Sequence, residues 1–385
     1  MGNQLLAVRN LKKYFPVKAG PFSGKSLILK AVDGVNMDIM KGETIGLVGE
    51  SGCGKTTVGR CMLRLYEPDE GRIFIDPEKH TKAINIVEEF DAKRFALEDK
   101  IHSIEREIAG PKVLRKEIRS LLKQVHELKL KARQAGRRTD ILSMGRDDMS
   151  KARKRLQMVF QDPWASLNPM MLVKDIIGEG PKEFGTHKGA ALDKWVNELL
   201  DKVGLPRAAS NRYPHEFSGG QRQRIGIARA LSLTPSIIVC DEPVSALDVS
   251  IQAQVINLLI ELQDDLDLTY IFIAHDLSVV QYVSDRISVM YLGKMVENAN
   301  AKQLYKNPRH PYTISLMSSV PVADPEHKSE EIILEGDVPS PVSPPPGCTF
   351  HPRCRYAIDI CRKEIPVLEK DKDGHVIACH NPPND

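Results

Sequence analysis

Gly49-Glu50-Ser51-Gly52-Cys53-Gly54-Lys55-Thr56 follows the apolar run Thr44-Ile45-Gly46-Leu47-Val48 and precedes a segment that reads as a helix from Lys55 to about Leu65. In a strand, glycine-rich loop and helix, successive backbone N–H groups and the positive end of the helix surround phosphate oxygens. Lys55 then reaches the β/γ oxygens and Thr56 offers its hydroxyl to Mg²⁺, with Thr57 next in the helix. The stretch sets the fold class as α/β of the P-loop type and the ligand class as a nucleoside triphosphate. Kinases, GTPases and many ATPases share it, so the reaction stays open.

Four further segments bring polar groups to strand or helix ends. Ser218-Gly219-Gly220-Gln221 opens Arg222 to Leu233, whose Ile225, Ala228, Ala230 and Leu231 suit a half-buried helix. Its bare N–H groups make either a second anion site or a serine cap followed by two permissive glycines. Ile237-Ile238-Val239-Cys240 reads as a buried strand that delivers Asp241 and Glu242 to its C-terminal end, where ligands of open α/β sheets bind. Asp241 there suits Mg²⁺, and Glu242 is placed to polarise an attacking water, although a solvated loop would also explain the pair. Tyr270-Ile271-Phe272-Ile273-Ala274 is a further buried strand, ending at His275, a candidate hydrogen-bond partner for a γ-phosphate. The strand-like Arg155 to Phe160 is stopped by Gln161-Asp162-Pro163, which leaves the Gln161 amide at a strand end, able to touch a metal.

Six elements in this order resemble those of ATP-binding-cassette (ABC) transporter ATPases: Walker A at Gly49 to Thr56, the Q-loop at Gln161, the signature at Ser218 to Gln221, Walker B with Glu242, the D-loop Ser245-Ala246-Leu247-Asp248 and the switch His275. The resemblance implies a RecA-like P-loop core with a β-rich N-terminal part and a helical signature subdomain. It implies ATP bound by Gly49, Glu50, Ser51, Gly52, Cys53, Gly54, Lys55, Thr56 and Thr57. Tyr14 would stack on adenine, a contribution of about 1–3 kcal/mol by analogy with base stacking. Ser218, Gly219, Gly220, Gln221 and Asp248 would close the site from the other chain of a head-to-tail dimer. Mg²⁺ falls to Thr56, Gln161 and Asp241, and catalysis to Glu242, His275, Lys55 and Gln161.

Within that family the chain is most similar to the ATPases of dipeptide and oligopeptide importers, through Tyr14-Phe15-Pro16-Val17-Lys18 and Gln161-Asp162-Pro163-Trp164-Ala165-Ser166-Leu167-Asn168-Pro169. The likeness covers nearly everything outside residues 77–150. It implies a second, non-identical ATPase, two permease subunits and an extracytoplasmic solute-binding protein, with this subunit peripheral on the cytoplasmic face of the plasma membrane. It leaves the cargo open among peptides, nickel and sugars.

Composition agrees and narrows little. The 385 residues, 42% of them hydrophobic, suffice for a large core, and 54 Lys and Arg against 51 Asp and Glu do not advertise nucleic acid as a partner. No apolar run approaches the roughly 18 residues that span a bilayer, and Met1-Gly2-Asn3-Gln4 opens no secretory signal, so a cytoplasmic chain is expected. Cys53, Cys61 and Cys240 are scattered, whereas Cys348, Cys354, Cys361 and Cys379 fall in the last 38 residues, spaced C-x5-C-x6-C-x17-C. Four thiols in such a tail suggest a metal before a disulfide. The importer resemblance, in Gly347-Cys348-Thr349-Phe350-His351-Pro352-Arg353-Cys354 and Val376-Ile377-Ala378-Cys379-His380, implies a [4Fe–4S] cluster, with zinc or no metal as alternatives.

Residues 77–150 depart from the family. Phe90, Leu97, Ile101, Ile104 and Ile108 share one seam, Ala109-Gly110-Pro111 breaks it, and Leu114, Ile118, Leu121, Val125 and Leu128 resume it, which predicts an antiparallel helical hairpin. Its second arm is strongly basic. The expected organisation is an ABC ATPase domain of residues 1–76 and 151–298, with a helical subdomain at about 169–233, the inserted hairpin at 77–150 and a C-terminal accessory domain at 299–385. A soluble DNA-repair ABC ATPase with a short coiled coil is the alternative. The hairpin has no Cys-x-x-Cys apex, which argues against it.

Overall fold

The computed structural model describes residues 3–18, 26–107, 112–320 and 332–383. Met1 and Gly2, Ile108 and the Ala109-Gly110-Pro111 break lie outside the described residues, as does the side chain of Leu114. In chain order the first elements are β1 (Gln4–Lys18), β2 (Ser26–Met40), β3 (Thr44–Val48), α1 (Lys55–Met62), β4 (Glu70–Ile75), α2 (Thr81–Glu107), α3 (Lys112–Gly136), α4 (Arg146–Arg155), β5 (Leu156–Val159) and α5 (Pro163–Ser166). There follow α6 (Val173–Glu183), α7 (Ala190–Lys202), α8 (Gly219–Leu231), β6 (Ile237–Asp241), α9 (Val249–Leu266), β7 (Thr269–Ile273), α10 (Leu277–Val283), β8 (Arg286–Tyr291), β9 (Lys294–Asn300), α11 (Ala301–Lys306), α12 (Pro311–Ser318), β10 (Glu369–Lys370) and β11 (Val376–Ile377).

One sheet has the order β2-β1-β4 and the other β10-β11-β9-β8-β3-β7-β6-β5. In the larger sheet β8, β3, β7, β6 and β5 are parallel. β3, β6 and β7 are buried along their whole length, which is why their sequences are continuous apolar runs rather than alternating ones. Parallel register brings their C-terminal ends to one edge, so Gly49, Asp241 with Glu242, and His275 all emerge there. β9, β11 and β10 continue the sheet antiparallel, with Val376 opposite Asn298 and Ile377 opposite Glu297, so the C-terminal segment extends the central sheet.

Contacts divide the chain into two compact units, one of Met1–Arg9, Met37–Met40 and Arg72–Ala152, the other of Asn10–Asn36, Lys41–Gly71 and Arg153–Asp385. In the first, α2 and α3 pack as an antiparallel pair. Ile101, Leu121 and Val125 are buried together with Leu97, Ile104 and Ile118 against them. Toward the other end of the pair, Ile84, Val87 and Phe90 meet Ala132, Ala135, Phe74 and Ala7. Arg72 ties this base with a fork to Asp91 and a bond to buried Asp140. In the second unit α1 ends at Met62, shorter than the expected Leu65, because Leu63 caps it and Arg64 turns left-handed at φ 51°.

The hairpin seam makes a direct stability prediction. Ile101 is 6% exposed and Leu122, on the outer face of α3, 51%. Ile101→Ala should lower the unfolding free energy by about 2–5 kcal/mol and Leu122→Ala by less than about 0.5, as read by urea unfolding.

Candidate functional site

The glycine-rich loop closes on its own lysine. Lys55, 5% exposed, donates from Nζ to the carbonyls of Gly49 (2.7 Å) and Glu50 (3.1 Å). Gly54, at the start of α1, adopts φ 108°, and a Cβ there would lie 2.0 Å from the Ala31 carbonyl oxygen, so no other residue fits. Ser51, Gly52 and Cys53 complete the turn, and Thr56 and Thr57 occupy the first turn of α1. Thr56 Oγ1 donates to Asp241 Oδ1 at 2.6 Å, joining the loop to the end of β6.

Asp241 is fully buried, and its second oxygen, Oδ2, has no hydrogen-bond partner. Burial pushes its carboxyl above the usual range, against the opposing hydrogen bond from Thr56. An orphaned buried carboxylate oxygen beside a P-loop hydroxyl fits a divalent cation that arrives with a triphosphate, since Mg²⁺ is commonly held by one or two protein oxygens plus phosphates and water. The chemistry such an ion supplies is neutralisation of developing phosphate charge.

Next along, Glu242 sits with φ 47°, a left-handed conformation that costs a non-glycine residue about 1–3 kcal/mol. Its N–H donates to the Ile273 carbonyl (2.9 Å), which fixes it to the end of β7. Its Oε2 accepts from Gln161 Nε2 at 2.8 Å and lies 3.3 Å from His275 Nδ1. Residues from three strand ends thus converge on one carboxylate, and Gln161 turns its amide nitrogen toward it. Asp162 caps the short α5, accepting from the Trp164 and Ala165 N–H groups, which holds the chain just after Gln161.

The Ser218 turn is a complete capping box: Ser218 Oγ accepts from Gln221 N–H (3.4 Å), and Gln221 Oε1 accepts from Ser218 N–H (3.0 Å). The N–H groups of Gly219 and Gly220 are left over at the head of α8. Among the described residues no hydrogen bond joins this turn to the P-loop of the same chain. It packs instead against the Ser245–Asp248 loop and α9, with Gly219 near Leu247 and a Cβ on Gly220 placed 2.3 Å from Ile251 Cγ2. Asp248 caps α9 by accepting from Ile251 N–H (3.0 Å), and Gln252 braces the loop through the Val244 and Leu247 carbonyls.

Tyr14 is held by groups that sequence spacing does not announce. Its hydroxyl donates to Asp33 (2.7 Å), which also pairs with Lys294 (2.9 Å). Burial and then Asp33 push the Tyr14 hydroxyl pKa up; burial also raises that of Asp33, but bonds from Tyr14 and Lys294 outweigh it and hold the carboxyl below its usual range. Separately, a groove of about 1120 Å³ lies between β5, α6 and α8, lined by Phe160, Met170, Met171, Ile176 and Phe184 with Arg229.

The four-cysteine expectation finds no support in the structure. Cys348, Cys354, Cys361 and Cys379 do line one cavity, with His351 and His380, but it measures about 10 Å³, room for a single water. Among the described residues no group of three or more His, Cys, Asp or Glu side chains is disposed to hold a metal ion. Burial pushes Cys348 up and takes Cys354 and Cys379 up to about 11, with the neighbouring thiols adding to the rise, so any metal binding here would have to displace their protons. His351 and His380 face backbone carbonyls of Cys348 and Glu364. The [4Fe–4S] assignment, and zinc with it, is not supported.

Comparison with known proteins gives the family. The ABC transporter family matches residues 32–149 and 144–245, and the family described as oligopeptide/dipeptide transporter, C-terminal region, matches 296–361. The chain is 47% identical over 382 residues to the oligopeptide transport ATP-binding protein AppF of Bacillus subtilis, covering 98% of this chain and 97% of that one. In fold it is similar to cbiO1 of Clostridium perfringens, described as part of the ABC transporter complex cbiONQ (TM-score 0.54, 22% identity, 79% of this chain and 92% of that). It is equally similar to the ATP-binding cassette MJ0796, solved as a dimer with ADP and Pi (TM-score 0.54, 22% identity, 77% and 99%).

The tight contact behind the Ser218 turn is testable. Gly220→Ala should destabilise the protein by about 1–3 kcal/mol in thermal or urea unfolding. Ile251→Ala added to it should recover part of the loss, because it removes the methyl that the new Cβ meets.

Proposed function

The chain belongs to the ABC transporter ATPases, in their oligopeptide/dipeptide branch, and from that membership we propose that it hydrolyses ATP to power import of peptides. The observation that carries the catalytic part is Glu242 at the sheet edge, bonded by Gln161 and faced by His275, one residue from the buried Asp241. In this reading Gly49 to Thr57 hold the phosphates and Tyr14 stacks on adenine. Thr56, Asp241 and the carbonyl end of Gln161 receive Mg²⁺. Lys55 exchanges its two loop carbonyls for the β/γ oxygens. Glu242 orients water for in-line attack, while Lys55 and His275 meet the charge that develops on the transferred phosphoryl group.

The left-over N–H groups of Gly219 and Gly220, with Ser218, Gln221 and Asp248, would close the site from a second ATPase facing head to tail, so that each nucleotide is gripped by two chains. The second chain is non-identical in this proposal. Two permease subunits and an extracytoplasmic solute-binding protein complete the assembly, which places the chain at the cytoplasmic face of the membrane. The groove beside Gln161, which mixes apolar side chains with charged ones such as Asp175, Glu179, Lys182 and Arg229, would seat a permease helix, because a shift there moves the residue that touches Glu242. No helix of the described residues is long and apolar enough to cross a membrane, so attachment would run through such partners. Residues 1–76 and 151–298 would make the ATPase domain, 77–150 an inserted hairpin and 299–385 an accessory segment. The DNA-repair alternative does not fit the oligopeptide/dipeptide C-terminal match.

Glu242→Gln should leave ATP binding intact and lower turnover by about 10²–10⁴-fold, the usual range for a lost general base. Turnover near wild type would refute the role. Purification of the chain from membranes should bring a second ATPase and two permeases with it; recovery of the chain alone, fully active, would contradict the assembly.

A further inference from the structure

The loop residue Glu50 is gripped from behind by the C-terminal segment. Its N–H donates to the Tyr312 hydroxyl at 2.7 Å, and both its carboxylate oxygens accept from Arg353 Nη1 at 3.0 Å. Arg353 is inserted rather than draped: its side chain is 8% exposed, against 25% for Glu50, and its Nη1 also lies 3.5 Å from the Tyr291 hydroxyl. Tyr291, Tyr312 and Phe350 form the floor of the contact, with ring centroids 4.7, 5.2 and 5.4 Å apart, and all three are essentially inaccessible to solvent. Burial disfavours the Arg353 charge, but the bonds to Tyr291 and Glu50 outweigh it and hold its pKa above the ordinary value.

We infer that Arg353 and Tyr312 are positioning residues for the ATP site, through which the C-terminal segment sets the shape of the phosphate-binding loop and hence its affinity for nucleotide. The step from contact to consequence runs through Lys55. Glu50 is held on both sides, its carbonyl accepting from Lys55 Nζ and Cys53 N–H and its own N–H donating to Tyr312. When Lys55 turns to a triphosphate, the loop keeps its curvature through the bonds that remain: Cys53 N–H to the Glu50 carbonyl (3.2 Å), Gly293 N–H to the Cys53 carbonyl (2.9 Å), and the bonds of Glu50 to Tyr312 and Arg353. Of these, the last two alone reach the Glu50 N–H and carboxylate, from more than 260 residues farther along the chain. Arg353 stands between Pro352 and Cys354, so folding of the cysteine-bearing turn is what presents it to the loop.

The inference rests on the reading of Gly49 to Thr56 as the phosphate site for ATP, and the test separates the two. ATP affinity of the full-length chain is measured by calorimetry, and ATPase kinetics on the membrane-assembled form. Arg353→Met should weaken ATP binding about tenfold, raising KM with kcat within about twofold, since a lost bond to a charged group is of that size. Arg353→Lys should restore most of the affinity, because one nitrogen makes both bonds to Glu50. Glu50→Gln changes no residue of the C-terminal segment and keeps an oxygen that can accept from Arg353, so it tests the same pair even if Arg353→Met does not fold. It should weaken binding similarly and add little when combined with Arg353→Met. Unchanged ATP affinity in Glu50→Gln, or fully additive losses in the double variant, would overturn the inference. Failure of the wild-type chain to bind ATP would instead overturn the reading of the loop.

Discussion

The hydrogen bond from Thr56 to Asp241 is the contact on which the rest of the site depends. It joins the first turn after the phosphate-binding loop to the end of β6, across the intervening strand β7. A net bond to a charged group contributes about 1.5–3 kcal/mol, while a buried carboxylate left without any partner costs several. Asp241 is half-satisfied: one oxygen bonded, the other orphaned. Lys55 donates to the loop carbonyls of Gly49 and Glu50. A cation and an unpartnered carboxylate oxygen thus face the same loop, chemistry that suits a triphosphate together with a divalent cation.

Glu242 extends the same logic one residue further. A left-handed glutamate is tolerated only where its surroundings over-determine it, and here the Ile273 carbonyl, Gln161 and His275 do so. The strain turns the side chain away from the course of β6 and into the space where neighbouring strand ends meet. Gln161 touches Glu242, and its neighbour Phe160 lines the groove between β5, α6 and α8. One backbone segment therefore connects that groove with the carboxylate proposed to act on water.

Much of this was legible because it is local. The loop, the strands that feed it and the capping box at Ser218 are each written within a dozen residues, where spacing and backbone chemistry determine the outcome. The hairpin was legible for a similar reason, since a seam repeated over several turns leaves few alternatives. Two kinds of feature were not. Lys294, Tyr312 and Arg353 reach their targets across more than 250 residues, and only the folded chain brings them there. The cysteine tail is a separate case: its spacing and its likeness to importer tails suggested a cluster, and the fold does gather Cys348, Cys354, Cys361 and Cys379 around one small cavity, but not in an arrangement disposed to hold a metal. Helix ends failed on single residues, as at Arg64, where a left-handed turn that no side chain foretells stops α1 early.

The central claim is that the triphosphate is gripped by two chains, the loop of one and the Ser218 turn of another. A photo-cross-linker placed at position 218 in the membrane-assembled protein, with ATP trapped by Glu242→Gln, reads this directly through mass spectrometry of the adduct. ATP-dependent capture of a phosphate-binding loop peptide from a facing ATPase is the expected result. Adducts confined to the chain's own residues, unaffected by ATP, would contradict it.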